Sequence, residues 1–154
     1  MSIVPAVTHF LNSALNAVSL VIPSEVKRQS APTLVEGSFI QSDMGVLIGI
    51  TGELPGRLIL DAHTTTFSNV AQLMYGMALE GEMLESFVGE IGNMVAGNAA
   101  SDLSSKGLQI NISPPTVLVG STKITGFEQG IQIPLEIEGL GPMNVFLIME
   151  GRGA

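Results

Sequence analysis

The sequence predicts an α+β fold in which one unit of a helix and three strands occurs twice, with the helices backing an antiparallel sheet. Two internal similarities lead to this prediction. The segment 32–38 (PTLVEGS) reappears as 115–121 (PTVLVGS), and each copy lies downstream of an amphipathic helical pattern. The segment 10–16 (FLNSALN) likewise aligns with 87–93 (FVGEIGN). A repeat of about 80 residues used twice indicates a pseudo-twofold molecule.

The elements follow from apolar spacing and turn residues. Apolar residues at helical intervals predict a first helix over 4–21. Alternating apolar runs then predict three strands, which are followed by two helices. Gly81 separates these helices, and Gly107 ends the second of them. The tail returns to strands, and the sheet is expected to be of a six-stranded type. The predicted strands are 33–41, 46–51, 57–61, 109–112, 116–120, 123–127, 131–138 and 143–150, and the two later helices are 65–78 and 82–106.

Composition limits the classes of function. The chain of 154 residues suits a single domain, 1–154, and carries six Lys and Arg against fourteen Asp and Glu, a net charge of −8. Only Lys27 and Arg28 form a basic pair, which argues against nucleic-acid binding. Cysteine is absent, and His9 and His63 are far apart, so no metal-ligand cluster is expected. No apolar run is long enough for a membrane span, and the helical spacing near the start argues against a signal peptide. A cytoplasmic protein without membrane insertion is therefore expected.

One ridge of the longest predicted helix concentrates polar groups. At roughly 100° per residue, four positions fall within an arc of about 60°: Ser86, Glu90, Asn93 and Gly97. The opposite side is apolar and predicted to face the core, with Leu84, Phe87, Val88, Ile91, Met94 and Val95. A carboxylate can pair with a cation, and an amide can orient a water through its donor and acceptor.

The residues alone leave two interpretations of this ridge open. Asn93 is a mediocre helix former, and the glycines at 89, 92 and 97 each cost about 1 kcal/mol relative to alanine in a helix interior. Such a ridge indicates close approach by another backbone. That backbone belongs either to a partner or to the protein itself, as part of its own sheet or a sister helix.

The motif resembles that of a known family. Ser86-x-x-x-Glu90-x-x-Asn93, followed by Pro115, resembles the helix motif and distal proline of the CheC/CheX phosphatases. The continuation 93–99 (NMVAGNA) is most similar to CheX. CheC-type members typically carry the motif in both halves, whereas here Ser13 stands at the position that matches Glu90. The resemblance therefore favours a CheX-like protein.

The resemblance implies a function and a partner. Family members dephosphorylate the phospho-aspartate of the response regulator CheY or a relative. Asn93 would then orient the attacking water, and Glu90 would pair with the active-site lysine of the regulator. Ser86, Gly89 and Gly97 would contact the regulator. No cofactor of its own is implied, because the regulator would supply Mg²⁺.

Two other functions compete with phosphatase activity. The first is a catalytically silent CheX-like module that binds a response regulator or a flagellar switch component. The second is a structural dimerisation domain in which the ridge of Glu90 and Asn93 is packed away. A homodimer is expected, with no nucleic-acid partner.

Overall fold

The computed structural model describes residues 4–41 and 43–150, and the side chains of residues 6–41 and 43–150. Its helices are α1 (Val4–Val21), α2 (Thr64–Tyr75) and α3 (Gly81–Ser105). Its strands are β1 (Val26–Arg28), β2 (Thr33–Glu36), β3 (Phe39–Gln41), β4 (Met44–Gly52), β5 (Gly56–Ala62), β6 (Ile110–Ile112), β7 (Thr116–Val119), β8 (Thr122–Ile124), β9 (Gln129–Ile137) and β10 (Gly141–Met149).

The main sheet is antiparallel and has six positions across. Its order is β1-β9-β10-β5-β4-β6, with β2 also paired to β9 and β7 also paired to β4, so each edge position holds two short strands. At the centre β5 pairs with β10, with Leu60 opposite Val145. Exchanging the two halves maps α1 and β1–β5 onto α3 and β6–β10, with α2 as the link between them. The predicted α+β class with a duplicated unit is confirmed.

Each face of the sheet covers its own apolar cluster. Along β5, Leu58 and Leu60 join the large core beneath the helices, whereas Ile59 points into a smaller cluster on the other face. The two-stranded sheet of β3 and β8 covers that smaller cluster. There Phe39 stacks on Phe146 with ring centroids 3.9 Å apart. Burial on both faces explains why the central strands are almost continuously apolar.

Two strand predictions need correction. The predicted strand 33–41 is two strands, because Gly37 adopts a left-handed φ of 75° and ends β2. The following β3 leaves the main sheet and pairs with β8. Strand β1 was not predicted, and its three residues include the basic pair Lys27 and Arg28. A short and mostly exposed strand leaves no alternating apolar signal.

Helix α3 is held in place at its end and along its middle. After its last residue, the Gly107 N–H donates to the Ser104 carbonyl and the Leu108 N–H donates to the Leu103 carbonyl. This pair of bonds is a Schellman cap, as the glycine predicted. Mid-helix, Gly92 is buried against Val46 of β4, where an added Cβ would come within 2.6 Å of the valine methyls. The helix therefore lies close to the sheet.

Within the described residues, no helix combines the length and hydropathy that a membrane crossing requires.

Candidate functional site

An open groove of about 630 Å³ lies between α3 and the chain that runs from β6 into β7. From α3 it is lined by Glu85, Ser86, Gly89, Glu90 and Asn93, and from the other side by Ile112, Ser113, Pro114, Pro115 and Val117. Three residues of the predicted ridge, Ser86, Glu90 and Asn93, thus line the same concave surface as Pro115, the proline of the family motif.

The polar side chains of the ridge are available to a partner. Ser86, Glu90 and Asn93 are all exposed, and within the described part of the chain none makes a side-chain hydrogen bond or ion pair. Their positions are fixed from behind, because Phe87 and Ile91 are buried in the core. The ridge therefore combines a rigid backbone with side chains that have unused donors and acceptors.

Of the opposite wall of the groove, only Pro115 was expected from the sequence. Here a proline pair follows β6, and the backbone N–H of Gly49 donates to Ser113 Oγ at 2.8 Å. That bond ties the wall to β4. Val117 faces α3, and a Cβ added to Gly89 would lie 3.3 Å from its Cγ2. The repeated PT segments marked β7 as a strand, but the pairing with β4 that sets β7 beside α3 has no local signal.

The three helix glycines have different surroundings. Gly89 is buried and lines the groove next to Val117. Because it has no side chain, Val117 of the opposite wall can pack close to α3 at this point. Gly92 faces the sheet and is not part of the ridge, which corrects its grouping with the other two glycines. Gly97 has no atom within 4 Å of an added Cβ and lies outside the groove lining. Of the three, only Gly97 leaves open space above its own helix.

The groove is acidic. Glu85 and Glu90 both line it, and none of the described residues that line it is a lysine, an arginine or a histidine. Such a surface favours a cationic group on whatever enters. Among the residues that the structure describes, no cluster of three or more histidine, aspartate or glutamate side chains could hold a metal ion.

The matching region of the first half is built differently. Ser13, at the position of Glu90, is 1% exposed and donates to Asp102 Oδ2 at 2.6 Å. That bond, with a further one from Lys106, lowers the pKa of the Asp102 carboxyl. Asn16, at the position of Asn93, is exposed in a smaller groove of about 440 Å³ that also contains Arg28 and Lys106. The first half thus keeps an amide but is basic and lacks an exposed carboxylate at this position.

Known proteins are similar to this chain in sequence and fold. Residues 44–136 match the family model described as chemotaxis phosphatase CheX. The CheY-P phosphatase CheX of Thermotoga maritima is 32% identical over 126 residues, which cover 79% of this chain and 81% of the relative.

Two solved structures have the same fold. A CheC-like superfamily protein from a Shewanella species has a TM-score of 0.76 at 28% identity, covering 94% of this chain and 97% of its own. A CheX–CheY complex with BeF3 and Mg²⁺ from Borrelia burgdorferi has a TM-score of 0.75 at 22% identity, with the same coverage. The chain belongs to the CheX family of chemotaxis phosphatases.

Proposed function

We propose that this protein hydrolyses the phospho-aspartate of a CheY-like response regulator. One observation supports this most directly: an exposed carboxylate and an exposed amide lie one helical turn apart beside an open groove, with no partner of their own among the described residues. The Thermotoga relative is a CheY-P phosphatase, and the Borrelia relative forms a complex with CheY.

In this proposal Asn93 acts by positioning. Its side-chain amide both donates and accepts hydrogen bonds, so it can hold a water in line with the phosphorus atom of the regulator. Phosphoryl transfer needs such orientation and charge stabilisation more than covalent chemistry by the protein. The charge on the phosphoryl oxygens would be balanced by Mg²⁺ bound to the regulator, so the phosphatase needs no metal of its own.

Glu90 has the role of an anchor. Its carboxylate lies one turn before Asn93, on the acidic surface that also contains Glu85. A lysine of the regulator would pair with Glu90 and fix the register of α3 across the phosphorylation site. Ser86 lies one turn further toward the start of α3 and supplies a hydroxyl to the same interface.

Dephosphorylation kinetics test the proposal. Purified phospho-regulator is mixed with wild-type protein or with Asn93→Ala, in the presence of Mg²⁺, and phosphate release is followed. Wild type should accelerate release well above the regulator's own rate, and Asn93→Ala should lose about 100-fold of that acceleration while remaining folded. Full activity of the Asn93→Ala protein at saturating regulator would remove Asn93 from the mechanism. A wild-type protein that binds but never accelerates release would instead be the silent binding module.

We also propose a cytoplasmic homodimer. A cytoplasmic location follows from the proposed regulator substrate. For dimerisation, the edge strands β2 and β7 carry the exposed apolar side chains Leu34 and Val119. Sedimentation of the wild type and of the double variant Leu34→Lys, Val119→Lys tests whether these edges associate, with a monomeric variant as the expected result.

A further inference from the structure

An apolar patch lies at the start of α3, outside the groove. Tyr75, Met77 and Met83 are 57%, 56% and 63% exposed, and together we call them the methionine patch. The Tyr75 ring meets the ring of Phe87 edge-on at 5.5 Å, and Phe87 follows Met83 by one helical turn. The short connection 76–80 brings Met77 to the same end of the helix. These large apolar side chains face solvent where the two helices meet.

The methionine patch continues the ridge. Met83 lies three residues before Ser86 and seven before Glu90, which places all three on one face of α3. A body that lies along the ridge and contacts Glu90 and Ser86 reaches Met83 within one further turn. Met83 is not among the residues that line the groove, which includes Ser86 and Glu90.

The border of the patch is acidic, and no lysine or arginine lies near it along the chain. Between residues 58 and 105 the chain contains no lysine or arginine. Glu80 and Glu82 flank the patch, both exposed, and Glu85 lies on the next turn toward the groove. An apolar centre with a charged border is the usual composition of a transient protein interface.

We propose that the methionine patch is a second contact for the response regulator, separate from the contact at Glu90 and Asn93. This inference rests on the proposed function. The surface of the regulator that it binds is apolar and bordered by lysine or arginine side chains, next to the phosphorylation site. Methionine side chains adapt to irregular apolar surfaces, so the patch adds affinity and selects among regulators by their charge.

Polar substitution of the two methionines tests the contact. The double variant Met77→Gln, Met83→Gln keeps the side-chain length at both positions and the helix propensity at Met83, which lies in α3. Its affinity for the regulator loaded with BeF3 and Mg²⁺, measured by calorimetry, should fall about tenfold, with a matching rise in KM and kcat unchanged within about twofold.

The matched control is Leu20→Gln. Leu20 is 75% exposed and lies near Asn98 and Asp102, at least about 22 Å along α3 from Met83 at 1.5 Å per residue. It should leave affinity and KM unchanged. Equal affinity of wild type and the double methionine variant would overturn the inference, as would a loss of self-association without any change in KM, which would assign the patch to a second copy of the chain.

The binding readout separates this inference from the proposed function. If wild type binds the loaded regulator, the methionine variant binds it more weakly and neither accelerates dephosphorylation, the catalytic proposal fails and the contact stands. If wild type is an active phosphatase and the variant binds equally well, the contact fails and the catalytic proposal stands.

Salt dependence tests the charged border. The kcat/KM of wild type should fall as ionic strength rises, and Glu80→Gln, Glu82→Gln should show a smaller fall. The control Glu36→Gln, Glu128→Gln makes the same change in net charge at exposed positions on the strand-rich side and should follow wild type. Equal salt dependence of all three proteins would overturn the basic border on the regulator.

Discussion

Glu90 and Asn93 lie one turn apart, but Glu90 is proposed to bind the regulator and Asn93 to position the attacking water. Substitutions at the two positions should therefore affect affinity differently. Glu90→Lys would place a cation against the regulator's lysine, whereas Asn93→Ala removes only the group that holds the water. Calorimetry with the loaded regulator should therefore show at least a tenfold loss of affinity for Glu90→Lys, about 1.4 kcal/mol, and little change for Asn93→Ala. Equal affinity of wild type and Glu90→Lys would exclude the ion pair.

Asp43 stabilises the start of α2, and this stabilisation should depend on pH. Its carboxylate accepts a hydrogen bond of 2.7 Å from the backbone N–H of Thr64, the first residue of α2, and this bond lowers the pKa of Asp43. The residue preceding that helix, His63, makes no side-chain cap, so Asp43 satisfies an N–H that the helix cannot.

A lowered pKa means that the stabilisation by Asp43 is complete above the ordinary value of 3.8 and is lost as pH falls through the folded-state value. Asp43→Ala should reduce the free energy of unfolding by about 1 kcal/mol at neutral pH. Urea unfolding at a series of pH values should show the gap between wild type and variant closing below 3.8. A gap that stays constant through that range would mean that the charge of Asp43 is not involved.

At the scale of the element, α3 contains two glycines that respond oppositely to an added methyl group. In Gly92→Ala the new Cβ would lie 2.6 Å from both methyls of buried Val46, whose branched side chain has little rotamer freedom. We expect a loss of about 1–3 kcal/mol in the free energy of unfolding. Gly97→Ala meets no atom within 4 Å, so its gain in helix propensity, up to about 1 kcal/mol, should appear as added stability.

Thermal unfolding of the two variants checks the pair, with Tm lower for Gly92→Ala and higher for Gly97→Ala. Regulator affinity supplies a second measurement for Gly97, because its predicted role as a partner contact requires the space above the helix. Gly97→Ala should thus be more stable and bind more weakly. Unchanged affinity would remove Gly97 from the interface, and a stable Gly92→Ala protein would mean that α3 can move away from the sheet.

The elements that the sequence predicted best are those whose pattern is local. Helical spacing gave the bounds of α1 and placed α3 within one residue at each end, with its cap at Gly107. The wall of the groove was not predictable in the same way. Ser113 and Val117 reach α3 through the pairing of β6 and β7 with β4, and such long-range pairing has no signature within a short window of sequence.

At the scale of the whole molecule, the sequence predicted the duplication, but it predicted only part of the difference between the two halves. The alignment of the halves paired Ser13 with Glu90. It did not reveal that Ser13 is buried against α3, because an alignment does not specify which side of α1 packs against the other helix. The groove of the second half is acidic because Glu85 and Glu90 line it, whereas the groove of the first half is basic because Arg28 and Lys106 line it.

This asymmetry predicts that restoring the missing carboxylate will not restore a second active site. In Ser13→Glu the new carboxylate would enter a buried position next to Asp102, in place of the hydroxyl that now donates to it. Two carboxylates at that position repel each other, and the nearby positive charge, chiefly Lys106, already compensates Asp102. The nearby groove also presents Arg28, whose charge would repel the lysine that Glu90 is proposed to bind.

The measurement is phosphate release in an Asn93→Ala background, where the second-half site is silent. Ser13→Glu added to Asn93→Ala should produce no recovered turnover, and it should lower the free energy of unfolding because the Ser13–Asp102 bond is lost. Ser13→Ala in the same background is the control for loss of that bond alone, and it should be less destabilised than Ser13→Glu. Substantial turnover by the Ser13→Glu, Asn93→Ala protein would mean that α1 can turn its Asn16 face into a working site, and that the exposed geometry of α3 is not required.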